Sequence, residues 1–190
     1  MKKVIEIRWH ARAGQGAKTA ALLLAGAALK EDKYIQGFPE YGPEREGAPI
    51  KAFTRISDVP ILIHCDVANP DAVVVLDSTL LETANVTEGL PEEGVLLVNT
   101  DEEPKKIREL LKLNHGKVYT VDATGISLEI LGKNLPNMPM LGALIKAVPV
   151  LSLDTVLKGV REKFGKKFSS KIIDGNISAI KRAYEEVKSE

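Results

Sequence analysis

The sequence predicts an α/β fold with a mostly parallel sheet, helices on both faces and a helical C-terminal tail. Three observations carry that expectation. A strand-like segment near the start runs through a glycine turn into a helix. Two continuous apolar runs, residues 72–76 and 94–99, have the character of strands buried on both faces. Helical stretches alternate with such runs, the order expected when helices cross over between parallel strands.

Lys3 to Trp9 alternates branched apolar and polar residues and reads as a strand. Gly14-Gln15-Gly16 follows, then an Ala- and Leu-rich run from Ala17 to Lys30 that is a helix by propensity. Its alanines allow close packing on a sheet. Tyr34 to Pro49 holds three prolines and three glycines. After a strand of two or three residues at its start, it reads as a long loop, the kind that usually serves a function. Lys51 to Ile56 reads as a strand.

Ala72 to Leu76 is a buried strand ending in Asp77, and a short helix spans Ser78 to Thr83. Gly94 to Asn99 is a strand. Pro104 to Leu113 is a helix, with its N-cap near Asp101 and Pro104 in its first turn. Lys117 to Val121 is a strand. Helices follow over Thr124–Leu131, Met140–Ala147, Ser152–Phe164 and Ile172–Val187. The last of these form a tail suited to wrapping a partner. The sheet is of the Rossmann-like type.

The 190 residues suit one domain, 1–190, with a full core. Lysines and arginines number 26, as do the carboxylates, so no basic excess exists to bind nucleic acid. The N-terminus lacks signal-peptide character, since Glu6 and Arg8 break its apolar stretch. The longest weakly polar run, Ala20 to Leu29, is too short to span a bilayer. The expectation is a cytoplasmic protein with no membrane contact. Cys65 is the only cysteine, which excludes an internal disulfide and a self-ligated iron–sulfur cluster. Its expected place is a buried one. The histidines His10, His64 and His115 lack metal-ligand spacing and read as strand-end or surface residues.

Two segments could carry chemistry. The first is His10-Ala-Arg12-Ala-Gly14-Gln15-Gly16-Ala-Lys18-Thr19. Between strand and helix, backbone N–H groups and the helix dipole favour an anion, and glycine lets a ligand come close. Arg12 and Lys18 would add charge. Neither a G-x-G-x-x-G fingerprint nor a P-loop fits: Ala11 and Ala13 replace two glycines, and Ala17 separates Gly16 from Lys18. A tight turn and an anion site both remain open on spacing alone. The second is Tyr41-Gly-Pro-Glu44-Arg45-Glu46-Gly47-Ala-Pro49. There Arg45 is either an anion contact or the partner of a neighbouring glutamate. Asp174-Gly-Asn176 is expected to cap a helix. Nothing suggests a self-contained set of catalytic residues.

Together, IRWHARAGQGAKTAA and FPEYGPEREGAPIKAFTRIS resemble the gamma subunit of pyruvate and other 2-oxoacid:ferredoxin oxidoreductases. In that family the first segment usually reads H-G-R-x-G-Q-G-x-x-T-A and the second G-x-E-R-R-G-A-P-V-x-A-F-x-R. The resemblance follows the order of elements along essentially the whole chain. NMPMLGAL at Asn137–Leu144 is similar but less diagnostic. Ala11 and Glu46 depart from the pattern, the first crowding the turn and the second removing a charge.

The resemblance implies an α/β domain that covers an active site carried by alpha, beta and delta subunits. Those partners would hold thiamine diphosphate, Mg and [4Fe-4S] clusters and pass electrons to ferredoxin. The gamma chain itself would share coenzyme A, through Arg12, Gly14, Gln15, Gly16, Lys18 and Arg45. Tyr41, Glu44 and Arg45 would form a loop over the substrate or an interface. A stand-alone nucleotide- or flavin-binding reductase and a purely structural assembly subunit are the alternatives.

Overall fold

The computed structural model describes residues 4–40 and 47–190. The alternating N-terminal segment forms β1 (Val4–Arg12), which runs three residues past the Trp9 end that the sequence pattern indicates. The alanine-rich run forms α1 (Ala17–Ala28), closed by a 3-10 turn over Leu29–Glu31. Next come β2 (Tyr34–Pro39) and β3 (Pro49–Ser57). β2 is a full strand of six residues, because each pairs with β3 despite Gly37 and Pro39. The middle of the chain gives β4 (Ala72–Val75), α2 (Leu80–Thr83), β5 (Val95–Asn99), α3 (Pro104–Leu111) and β6 (Lys117–Val121). It ends with α4 (Ala123–Leu131), α5 (Asn137–Ala147), α6 (Leu153–Gly165), α7 (Ser170–Glu186) and a two-residue β7 (Lys188–Ser189).

One sheet runs in the order β2-β3-β1-β4-β5-β6-β7. β1, β4, β5 and β6 are parallel, while β3 and β7 run against their neighbours. The chain leaves β1 toward β2 and β3 but places β4 on the other side of β1. Beyond the carboxyl ends of β1 and β4 lies a topological switch point, the usual place for a ligand on such a sheet.

Helices cover both faces unequally. Ile7, Trp9 and Ala11 of β1 meet α1, α4, α5, α6 and α7 in the larger core. Val73, Val75, Leu96 and Val98 meet Leu80, Leu81 and Ile107 in a smaller one. The C-terminal helices are present as expected: α5 packs on the sheet, and α6 and α7 pack on α1, α4 and α5. α5 lies between the sheet and α7, and its residues Asn137 to Ile145 are all buried. That explains an apolar stretch with little helical asymmetry. A Cβ on Gly142 would stand 2.1 Å from the Ile180 carbonyl oxygen, so glycine lets α5 and α7 touch.

Three expectations need correction. Cys65 is exposed, because His64, Cys65 and Asp66 lie in an irregular segment after β3 and not on a buried strand. Asp174 and Asn176 lie inside α7, whose N-cap is Ser169; the Asn176 amide donates to the Ile172 carbonyl. α3 starts from Glu103 at the N-cap, with Pro104 in its first turn and Asp101 outside.

His10 also differs, being 3% exposed inside β1 rather than at a strand end. Its Nε2 accepts from Arg8 Nε at 3.1 Å, which requires a neutral ring. Arg8 also donates to the carbonyls of Val67, Ala68, Val86 and Glu88, and so ties two surface segments to β1. Burial, with the Arg8 and Lys51 charges adding to it, lowers the His10 pKa to about 3. The unfolded chain takes up this proton near pH 6.5. The contribution of His10 to stability is therefore complete above that pH and declines as pH falls toward 3. Between those limits it adds up to about 1.4 kcal/mol of stability per pH unit. Replacing His10 with Gln is expected to remove up to one proton from the pH dependence of unfolding between pH 6.5 and 3, measured by chemical denaturation across that range.

Candidate functional site

Four residues connect β1 to α1, and the backbone must reverse within them. Gly14 (φ 101°) and Gly16 (φ 84°) take left-handed conformations that a side chain disfavours. Gly16 is the N-cap of α1, and no side chain caps it. The first-turn N–H groups of a helix lack intrahelical partners, and α1 has no acidic residue there to offset them. The Asn137 amide donates to the Gly16 carbonyl at 3.2 Å, and a Cβ on Gly16 would fall 2.4 Å from Asn137 Nδ2. Glycine is thus required twice over.

Gly14, Gly16 and Thr19 form one wall of a groove of about 480 Å³. Lys133, Leu135 and Met138 come from the α4–α5 connection and α5, and Phe168, Lys171 and Ile172 from the α6–α7 corner. Leu135, Phe168 and Ile172 are 38%, 45% and 47% exposed, so the groove has an open apolar floor. Two lysines and no carboxylate line it among the described residues. An uncapped helix start, two ammonium groups and an apolar floor suit an anion with an extended, weakly polar arm.

The opposite side of the turn is different. Gln15, Asp77, Asn99, Asp101, Asp122 and Thr124 border a polar cleft of about 250 Å³ at the strand ends. The Gln15 amide donates to Asp77 Oδ2 at 2.7 Å, while its oxygen accepts the Arg12 N–H at 2.8 Å. The Arg12 guanidinium donates to Thr79 Oγ1 at 2.8 Å and to the Gly47 carbonyl at 3.1 Å, and its Nε lies 3.5 Å from Asp77 Oδ2. Burial would push the Asp77 carboxyl up. Hydrogen bonds from Thr79 and Gln15, with the Arg12 charge, outweigh that and hold it below the ordinary carboxylate value.

The structure therefore separates the residues selected from sequence. Gly14 and Gly16 line the groove, whereas the side chains of Arg12 and Gln15 serve Asp77, Thr79 and Gly47. Lys18 is exposed on α1 and lines neither cleft. Tyr41, Glu44 and Arg45 lie outside the described residues. The described end of their loop meets the turn directly: Ala13 N–H donates to the Ala48 carbonyl at 2.9 Å, and Gly47 N–H to the Ala13 carbonyl at 3.3 Å. Ala11 does not crowd the turn. It lies within β1 opposite Ile50, buried in the larger core.

Sequence reasoning missed Lys133, Lys171, Asn137 and Asp77. The lysines carry no local mark among 26 basic residues. Asp77 does have one, as a carboxylate that ends a buried apolar strand. Among the described residues, no group of three or more His, Cys, Asp or Glu is placed for a metal ion, and no helix is long and apolar enough to cross a membrane.

A family model for pyruvate ferredoxin/flavodoxin oxidoreductases matches residues 6–186. The chain belongs to that family. It is 51% identical to pyruvate synthase subunit PorC of Thermotoga maritima, over 98% of this chain and 96% of that one. It is 44% identical to the common gamma subunit of the pyruvate/ketoisovalerate oxidoreductases of Pyrococcus furiosus, over 97% of this chain and 98% of the relative. The crystal structure of the Thermotoga maritima subunit superposes with a TM-score of 0.89 at 48% identity, covering 100% of this chain and 99% of that one. The 2-oxoglutarate:ferredoxin oxidoreductase of Magnetococcus marinus, solved with 2-oxoglutarate, coenzyme A and succinyl-CoA bound, shares the fold at 20% identity. Its TM-score is 0.79, over 97% of this chain and 31% of that longer one. These relatives are gamma-type subunits of 2-oxoacid oxidoreductases or larger chains that contain the same fold.

The two turn glycines are expected to respond differently to substitution. Gly16→Ala combines left-handed strain with the clash at Asn137, and is expected to lose about 2–4 kcal/mol. Gly14→Ala meets open space and is expected to lose about 1–2 kcal/mol from strain alone. Urea unfolding of the two variants measures the difference.

Proposed function

We propose that this chain, as one gamma-type domain over residues 1–190, is the gamma subunit of a pyruvate (2-oxoacid):ferredoxin oxidoreductase, and that it holds coenzyme A along the groove beside Gly14 and Gly16. The assembled enzyme would convert pyruvate, coenzyme A and oxidised ferredoxin to acetyl-CoA, CO2 and reduced ferredoxin. Alpha, beta and delta partners would supply thiamine diphosphate, Mg and the [4Fe-4S] clusters, in the cytoplasm. The gamma chain brings the thiol carrier and covers the site.

One observation carries this reading: the glycine turn borders a groove that presents two lysines and no carboxylate among its described lining residues. Coenzyme A has a diphosphate, a 3′-phosphate and an extended pantetheine arm. The phosphates match the α1 start, Lys133 and Lys171, through charge-assisted hydrogen bonds. The arm matches the floor of Leu135, Met138, Phe168 and Ile172. Arg12 and Gln15 give the turn its shape, and the Arg45 loop starts from its edge. The full-length gamma and PorC relatives support a subunit role, whereas a stand-alone reductase finds no counterpart among them.

In the assembled enzyme, Lys133→Ala and Lys171→Ala are each expected to raise the KM for coenzyme A about tenfold, and the KM for the 2-oxoacid is expected to stay the same. Arg45→Ala tests the loop in the same assay. Unchanged coenzyme affinity in all three variants would remove the ligand from this chain. Loss of assembly with unchanged affinity in the remaining complex would assign these residues to an interface.

A further inference from the structure

Asp77 follows β4 beneath the glycine turn and does not line the groove assigned to the coenzyme. Its Oδ2 accepts from Gln15 Nε2 at 2.7 Å. Its Oδ1 accepts the Thr79 N–H at 3.1 Å and the Thr79 hydroxyl at 2.6 Å. That hydroxyl oxygen accepts from Arg12 Nη2 and Nε at 2.8 and 3.3 Å. Arg12 reaches on to the Gly47 carbonyl, and its own N–H is held by Gln15. Two routes therefore leave one carboxylate. One passes through Gln15 to the backbone of the turn, and the other through Thr79 and Arg12 to the base of the arginine-bearing loop.

Polarity makes the arrangement directional. Gln15 offers Asp77 an N–H, and Arg12 offers a cation. An ionised carboxylate accepts from Gln15 and from both Thr79 donors and is also attracted by the Arg12 charge, 3.5 Å away. The hydrogen bonds that hold the Asp77 carboxyl below its ordinary value keep it ionised at neutral pH.

We propose that Asp77 is a positioning residue for coenzyme A: it touches no ligand, and it holds the Gly14–Gly16 turn and the Gly47 end of the loop in the shape the ligand meets. The inference rests on the coenzyme reading above. Its experiment separates the two.

Asp77→Asn places an amide donor against the Gln15 donor and beside Arg12. In the assembled enzyme it is expected to raise the KM for coenzyme A about tenfold, with kcat at saturating coenzyme and the KM for the 2-oxoacid within about twofold of the parent. Adding Gln15→Glu reverses the polarity of the same hydrogen bond and restores the net charge. The double variant is expected to recover the coenzyme KM to within about threefold. Gln15→Met removes the hydrogen bond and leaves β4 untouched, so it gives the same KM split if Asp77→Asn does not fold. Amide hydrogen exchange at residues 13–17 and 47–48 is expected to quicken in each single variant and slow again in the double one. An unchanged coenzyme KM in the single variants overturns the inference, and so does a rise that the double variant does not reverse. Should the groove lysine variants leave coenzyme affinity unaltered, the coenzyme reading fails on its own terms. Exchange at the turn then still reports whether Asp77 holds it.

Discussion

The Asn137 amide and the Gly16 carbonyl meet across 121 positions of sequence, and this contact joins the start of α5 to the start of α1. It is possible only because Gly16 has no Cβ and takes a left-handed backbone. α5 is buried on all sides between the sheet and α7, so it is a fixed reference. Through Asn137 that rigidity passes to the glycine turn. α1 starts without a side-chain cap, at the border of the groove that Lys133 and Lys171 also line.

The turn separates two environments of opposite sign. One side carries two lysines over an apolar floor. The other presents Asp77, Asp101 and Asp122 at the ends of the parallel strands. The chain is neutral overall, so this polarity comes from placement and not from composition. The proposed anionic carrier would be drawn to one side and repelled from the other. The switch point of the sheet is by itself the default ligand position. Here Asp77 braces the turn through Gln15 and Arg12, Asp122 caps α4, and the proposed ligand surface lies on the helical side.

A second set of buried charges fixes the rest of the frame. Arg55 is 1% exposed and donates to Glu6, Gln36 and the Asp66 carbonyl, while Arg8 reaches four further carbonyls. Together they secure the irregular segment between β3 and β4 to the strands beneath. Guanidinium suits this work because its planar set of donors can satisfy several carbonyls at once without losing its charge. A neutral His10 completes the set by accepting from Arg8.

The sequence by itself determined the α/β order, the parallel strands at 72–76 and 94–99, the glycine turn opening α1, and the family, through two motifs near the start. Each is a local pattern: hydrophobic period, helix propensity or a backbone conformation open only to glycine. Tertiary structure alone decided which turn residues face the groove. It sent the Arg12 and Gln15 side chains to Asp77, left Lys18 on an open helix face, and brought Lys133 and Lys171 beside Gly14 from more than a hundred positions away. It also buried His10 and exposed Cys65. These outcomes depend on which distant elements pack together. A lysine or a histidine looks the same in sequence whether it meets solvent, a ligand or another side chain, and only the three-dimensional arrangement supplies its partner.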